Sequence, residues 1–370
     1  MKLAKLSLAA ITVVGLTTSA FAADTLAGAF KEGKISGALK GYAMHTTHDN
    51  GPTSGGNVAG GVLKFKTADL NGFSAGFEFQ TSHTLGLDQT DAPDGSISIK
   101  TSVLSEAYLA YTMGQTTAKV GRQHIETPLV SDSGSRMMRD YFTGAVVANT
   151  SLQNTTLVGA YVTDWTDRDG TSTHFDTRPY TVYAATSFAG LGLTAQYLSN
   201  DNQDQYWVEA KYSIKTAMPI NLGAQYIGVN DTYNSSLYGF KIGTSISGLG
   251  LMAAYTSTDN AGDVPGGIGK GNDSSYNSIQ KLTGAVAGVD SYQGKVSYNF
   301  KNGLSAFTRY VQYSDYSGPG LDAAEWDIDA TYKFGGSFKG LKAQVRYAMV
   351  TKDVANSDFN DFRFIVNYNF

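Results

Sequence analysis

The fold turns on Asp361-Phe362-Arg363-Phe364-Ile365-Val366-Asn367-Tyr368-Asn369-Phe370. On an extended chain Phe362, Phe364, Val366, Tyr368 and Phe370 share one face, and Arg363, Ile365, Asn367 and Asn369 share the other. Five bulky apolar side chains on one face of a final strand gain little in water. They suit a strand whose outer face meets lipid. Alternation of period 2 ending in an aromatic residue predicts the closing strand of an all-β outer-membrane barrel.

Working outward, alternation of the same kind recurs in eighteen segments, from 34–46 and 58–68 through 105–113 and 290–300 to 341–350 and 361–370. Each has roughly the length of a tilted membrane-crossing strand. Short connections (69–72, 114–116, 189–192, 247–250, 301–303) alternate with long ones (82–104, 124–141, 166–179, 259–289), the rhythm of periplasmic turns and outer loops. The expectation is an eighteen-stranded antiparallel transmembrane β-barrel closed by 361–370 on 34–46, with both termini in the periplasm. A lumen of that width is too large for side chains to fill and must hold water.

Residues 1–22 read as a secretory leader. Lys2 and Lys5 precede an apolar run over 6–16, and Ala20-Phe21-Ala22 is a small-x-small cleavage site. The run is too short to cross about 30 Å of hydrocarbon. Cleavage leaves 23–370 as one barrel unit. No later run of apolar residues is long enough for a spanning helix. The chain has no Cys, which excludes disulfides, thiolate metal sites and a cysteine nucleophile. Its 42 Gly and 23 Tyr fit tight turns and interfacial girdles. Net charge is −4, or −6 once Lys2 and Lys5 leave with the leader, which argues against a nucleic-acid partner. No cofactor is expected. His45, His48, His83, His124 and His174 fall at strand rims or in loops, none within a Gly-x-Ser-x-Gly or His-Glu-x-x-His signature. A Ser-His-Asp site assembled from separate strands stays open at this level, but eighteen strands favour passage over catalysis.

One stretch is more specific. Val120-Gly121-Arg122-Gln123, Thr127-Pro128-Leu129, Ser131, Ser135-Arg136-Met137 and Phe142-Thr143-Gly144, followed by Leu157-Val158-Gly159-Ala160-Tyr161-Val162, resembles the third-loop region of OprD-type porins. That family includes the major outer-membrane porins of Campylobacter-like bacteria. The resemblance implies a passive channel for small hydrophilic solutes and ions, a third loop folded inward, and a homotrimer with one pore per chain. It also implies that barrel-assembly machinery reads Phe370. Gly37, Gly41 and Ala43 on the apolar side of the first strand allow a neighbour close approach.

Taking the apolar alternates as lipid-facing turns Lys34, Lys40, Lys64, Lys66, Lys295, Arg309, Lys333, Lys342, Arg346 and Arg363 inward, with Asp327 and Asp329 as acids on the same wall. The remaining strands offer Lys119, Lys211 and Lys241 against Glu78, Glu106 and Glu209. A one-signed wall beside a narrow aqueous path concentrates ions of the other sign. This predicts anion preference, and the resemblance implies that Lys295, Arg309, Lys333, Lys342, Arg346 and Arg363 draw carboxylates. The third loop carries Arg122, Glu126, Asp132, Arg136, Arg139 and Asp140. These either complete a constriction or pair within the loop, Arg136 with Asp132, to hold its shape. Thr127-Pro128-Leu129 fixes the loop's entry, because Pro restricts both itself and the residue before it. Outer loops bear Asp88, Asp91, Asp94, Asp164, Asp167, Asp169, Asp259, Asp263 and Asp273, read as solvated charge or divalent bridges to lipopolysaccharide. An adhesin or structural barrel with functional loops is the alternative reading.

Overall fold

The computed structural model describes residues 23–86, 92–201, 203–271 and 275–370. The leader and Asp88, Asp91 and Asp273 lie outside the described residues. Eighteen strands make the wall: β1 (Lys34–His48), β2 (Ser54–Lys66), β3 (Phe73–Thr84), β4 (Thr101–Met113), β5 (Thr116–Gln123), β6 (Tyr141–Asn149), β7 (Thr155–Thr166), β8 (Tyr180–Phe188) and β9 (Leu191–Asn200), then β10 (Gln203–Ile214), β11 (Ile220–Asn230), β12 (Ser236–Ile246), β13 (Leu249–Thr258), β14 (Asp290–Asn299), β15 (Leu304–Ser314), β16 (Ala323–Lys333), β17 (Leu341–Lys352) and β18 (Phe359–Asn369). Each pairs antiparallel with its sequence neighbours. β18 closes on β1, from Ala38 opposite Asn369 to His48 opposite Phe359. Closure matters because an open edge in hydrocarbon leaves backbone groups without partners.

Polarity is inverted relative to a water-soluble domain. Leu39, Leu63, Val120, Phe240 and Trp326 are exposed on the outer face, while Glu78, Lys119, Asp327 and Arg363 are buried on the inner one. Lipid takes the apolar alternates and the lumen side takes the charged ones.

The strands at one end meet in tight turns. Asn71-Gly72, Ala189-Gly190 and Ser247-Gly248 each place two consecutive residues at positive φ (53° and 89°, 48° and 86°, 49° and 92°). That is the turn handedness compatible with the right-handed twist of the flanking strands. A short helix, α1 (Leu26–Lys31), lies at this end. Thr25 caps it by accepting from Gly28 N at 3.0 Å, and it packs Ala29 with Ala23 and Ala68 and Phe30 on Phe65.

β4 begins earlier than the alternation predicts, at Thr101. A bulge explains this: Glu78 pairs with Glu106 but Phe79 with Leu104, leaving Ser105 extra. Ser105 and Glu106 are therefore both buried on the inner side, and the period-2 pattern breaks there.

The seam ends at Phe370, whose N–H donates to Gly37 O and whose carbonyl accepts from Gly37 N, both at 3.1 Å. A Cβ at Gly37 would lie 2.7 Å from the Phe370 ring, so glycine makes room for it. Deleting Phe370 removes two seam bonds, each worth about 0.5–1.5 kcal/mol net. The heat-resistant folded fraction on unheated gels is expected to fall, and a wild-type fraction would contradict this role.

Candidate functional site

Register brings the inner charges of β14–β18 side by side. Lys295 is opposite Arg309, Arg309 opposite Asp327, Asp329 opposite Arg346, and Arg346 opposite Arg363. Arg309 Nη2 lies 2.7 Å from Asp327 Oδ2, Arg346 Nε 3.1 Å from Asp329 Oδ2, and Arg363 Nε 2.5 Å from Asp361 Oδ1. The wall is thus more acidic than Asp327 and Asp329 alone make it, because Glu325 and Asp361, which share their strands' inner parity, also lie on it, both fully buried. On the far side of the seam Lys64 Nζ reaches Glu78 at 3.1 Å and Glu106 at 2.6 Å, and Lys119 reaches Glu106 at 3.4 Å. Lys211 and Lys241 share Glu209 at 2.5 and 3.2 Å. Lys34 faces Lys66, and Lys333 faces Lys342, at the tight-turn end.

Residues 124–140 bind inner-side groups on several strands. Leu129 N donates to Gln196 Oε1 at 2.8 Å, and Gln196 Nε2 donates to Thr127 Oγ1 at 2.8 Å. Arg139 N donates to Gln80 Oε1 at 2.8 Å. Lys40 Nζ donates to the Arg136 carbonyl, and Tyr42 Oη to the Ser135 carbonyl at 3.1 Å. Gln196, on β9, thus helps Pro128 fix the Thr-Pro-Leu entry. His124 is the pivot. Its Nε2 is 2.7 Å from Glu78 Oε1 and its Nδ1 3.0 Å from Asp132 Oδ2. Burial opposes the charged imidazole, but the bonds to Asp132 and Glu78 outweigh it and raise the pKa to about 9. Arg139 pairs with both Asp132 and Glu126, and against opposing burial these carboxylates hold its pKa above the usual arginine value.

The predicted loop residues therefore have different places. Asp132 pairs with His124 and Arg139 rather than with Arg136. Asp140 is fully buried and accepts from Ser133 N (2.7 Å), Trp165 Nε1 (2.9 Å) and Lys270 N (2.9 Å). Glu126 stays half-exposed. Arg122 departs from the expected constriction. It shares the outward parity of Val120 on β5 and donates to the Leu104 carbonyl at 2.7 Å. One residue of register decides this, since Gln123 next to it is buried on the inner side.

Arg136 donates to Ser96 Oγ at 3.2 Å and has no carboxylate within ion-pair distance among the described residues. Burial, then Arg363 and Arg168 nearby, push its pKa down. Arg168, in the β7–β8 connection, is buried, and its pKa is also pushed down, by burial. Arg136, Arg168, Arg346 and Arg363 all lie within electrostatic reach of Tyr42. Lys40 sits in the field of Lys342, Arg168, Arg136 and Arg139.

Three features escaped sequence reasoning: His124 as an ion-paired pivot, Arg168 as part of the cationic cluster, and the long connection 259–289. That connection is tied to the inner wall by Tyr276 Oη to Glu209 (2.8 Å), Leu282 N to Glu325 (2.7 Å) and Lys281 Nζ to Asp361 (2.6 Å). The available signal was apolar residues on both faces near the outer strand ends, such as buried Ile227 beside exposed Tyr226 on β11. Of the loop acids, Asp94, Asp169, Asp259 and Asp263 each accept backbone N–H groups nearby. Among the described residues no cluster of His, Asp or Glu could hold a metal ion.

Residues 106–370 match the family model described as outer membrane porin, OprD family. No curated protein matches the chain by sequence. Among solved structures, OpdK of Pseudomonas aeruginosa, determined with vanillate, is 16% identical at TM-score 0.82, over 93% of this chain and 100% of that one. OccK3 (OpdO) of the same organism is 16% identical at TM-score 0.82, over 93% and 97%. OccAB1 of Acinetobacter baumannii is 13% identical at TM-score 0.84, over 92% and 97%.

Proposed function

Because the chain belongs to the OprD family of outer-membrane porins, we propose that it passes small hydrophilic solutes and ions by diffusion, favouring anions and carboxylate-bearing solutes. Loop 124–140 is the inward-folded constriction. One observation supports this most: on β14–β18, β1 and β2, Lys34, Lys40, Lys64, Lys66, Lys295, Arg309, Lys333, Lys342, Arg346 and Arg363 share the inner side with only Glu325, Asp327, Asp329 and Asp361 as acids. Arg309, Arg346 and Arg363 are largely offset by their partners. The preference then rests on Lys40, Lys295, Lys333 and Lys342, which have no carboxylate partner among the described residues, and on Arg136 and Arg168. Arg168 Nε and Arg363 Nη2 are buried without a hydrogen-bond partner among the described residues. Such N–H groups suit a carboxylate oxygen. OpdK, solved with vanillate, has the same fold. Steady open-channel steps in a planar bilayer are expected; a silent bilayer with folded protein would favour the adhesin reading.

The outer face meets membrane lipid and lipopolysaccharide, and Phe370 serves barrel-assembly machinery as a terminal signal. In place of the trimer implied by resemblance, a monomer is the reading, because β18 closes on β1 and completes the barrel within one chain. The trimer's sequence support weakens because Gly37 accommodates the chain's own Phe370 rather than a neighbour. Crosslinking in isolated outer membranes is expected to leave a monomer band. A dominant trimer band would contradict this.

A further inference from the structure

Residues 266–271 read Gly-Gly-Ile-Gly-Lys-Gly, in the middle of the 259–289 connection. They run beside residues 129–132 as a short parallel ribbon in which Val130 pairs with Ile268. Ile268 N donates to Leu129 O at 2.8 Å, Ser131 N to Ile268 O at 3.0 Å, and Gly271 N to Ser131 O at 2.9 Å. Lys270 N adds a bond to the buried Asp140 carboxylate at 2.9 Å. Contact is close enough that a Cβ at Gly267, Gly269 or Gly271 would lie 1.7, 2.2 or 2.1 Å from the carbonyl oxygens of Leu129, Ser131 and Asp132. Gly269 also has φ +96°, which side chains rarely adopt. Behind the ribbon Leu129, Val130 and Ile268 are buried with Trp207, Ile227 and Leu237 of β10–β12.

The partner segment is not itself loose. Tyr276 Oη bonds Glu209 on β10 and Tyr276 N bonds Gln225 on β11 at 2.9 Å. Lys281 N and Leu282 N bond Glu325 on β16, and Gln280 Nε2 reaches Asp361 on β18 at 2.8 Å. The described residues of connection 259–289 thus bond two separate arcs of the wall, β10–β11 and β16–β18, and residues 268–271 hold 129–132.

We propose that residues 266–271 are a clasp that positions the constriction loop, so that pore width and selectivity are set by two loops joined as one unit. Gly267, Gly269, Gly271 and Asp140 are its positioning residues. This rests on the channel reading above.

Two variants test it. The chain has no native Cys, so Val130→Cys with Ile268→Cys introduces one possible intrachain disulfide. Paired strands sit about 4.8 Å apart, inside the roughly 4.4–6.8 Å that a disulfide spans. The pair is expected to oxidise in the folded barrel and leave conductance at the wild-type value. Gly269→Val is expected to keep the heat-resistant fold, raise single-channel conductance on the order of two-fold, and move the salt-gradient reversal potential toward zero, because pore diameter and lining govern both. Free thiols in the folded double variant, or wild-type conductance and reversal potential in folded Gly269→Val, would overturn the clasp. Should Gly269→Val not fold, the disulfide decides. A silent wild-type bilayer rejects the channel reading, whereas the disulfide still judges the clasp.

Discussion

Replacing His124 with alanine is expected to cost about 1–3 kcal/mol of local stability, because two buried carboxylates each lose a charged hydrogen bond to the imidazolium. Glu78 keeps Lys64 at 3.1 Å, and Asp132 keeps Arg139, but each loses the imidazolium between them. The wall does not depend on His124, so the barrel stays folded while residues 125–139 loosen. Limited proteolysis of the unheated protein reads this as new cleavage in that stretch, and a bilayer reads it as current noise. The pH dependence has a definite sign. With the folded pKa raised to about 9 against about 6.5 in an unfolded chain, the imidazolium's contribution is complete below about pH 6.5. It is lost as pH rises through about 9. Wild-type noise and cleavage should therefore climb on going alkaline, while His124→Ala shows them already at neutral pH. Indistinguishable profiles for the two proteins would refute the pivot.

The second large effect is on selectivity. A unit charge about 5 Å from a passing ion is worth about 0.8 kcal/mol in water, roughly a four-fold change in local occupancy. Low-dielectric walls strengthen that figure and salt weakens it. Lys40→Gln, Lys295→Gln and Lys342→Gln together remove three cations that have no carboxylate partner among the described residues. The anion-over-cation permeability ratio is expected to fall on the order of ten-fold, with little loss of folded protein, since no buried acid is stranded. Neutralising Arg309, Arg346 and Arg363 should push further toward cations, because Asp327, Asp329 and Asp361 lose their partners. That variant should also fold poorly, for the same reason. An unchanged reversal potential in the lysine variant would show that the controlling charges lie elsewhere.

The barrel was legible because lipid on one side and water on the other impose period 2 on every strand. Phe362, Phe364 and Tyr368 against Arg363 and Asn367 carry that message without tertiary knowledge. Register across antiparallel neighbours preserves sides, so Lys295, Arg309, Arg346 and Arg363 share one side of the sheet. Parity failed where one residue shifts the count. Ser105 doubles an inner position at a bulge; Arg122, by contrast, was grouped with the third loop although it keeps the outward parity of Val120 on β5. Partners were less legible. Alternation reveals that Arg309 and Asp327 point the same way, but not that Asp361 meets both Arg363 and Lys281, since Lys281 arrives from a loop. The two-loop ribbon was hidden because residues 266–271 look like a flexible linker, and only the carbonyls packed against those glycines give them another meaning.

The reversal potential of the wild-type protein in a planar bilayer under a potassium chloride gradient tests the central account most directly. Open-channel steps with a potential of the sign for chloride over potassium are the predicted result. Open-channel steps with strong potassium preference, or folded protein that inserts without conducting, would contradict it.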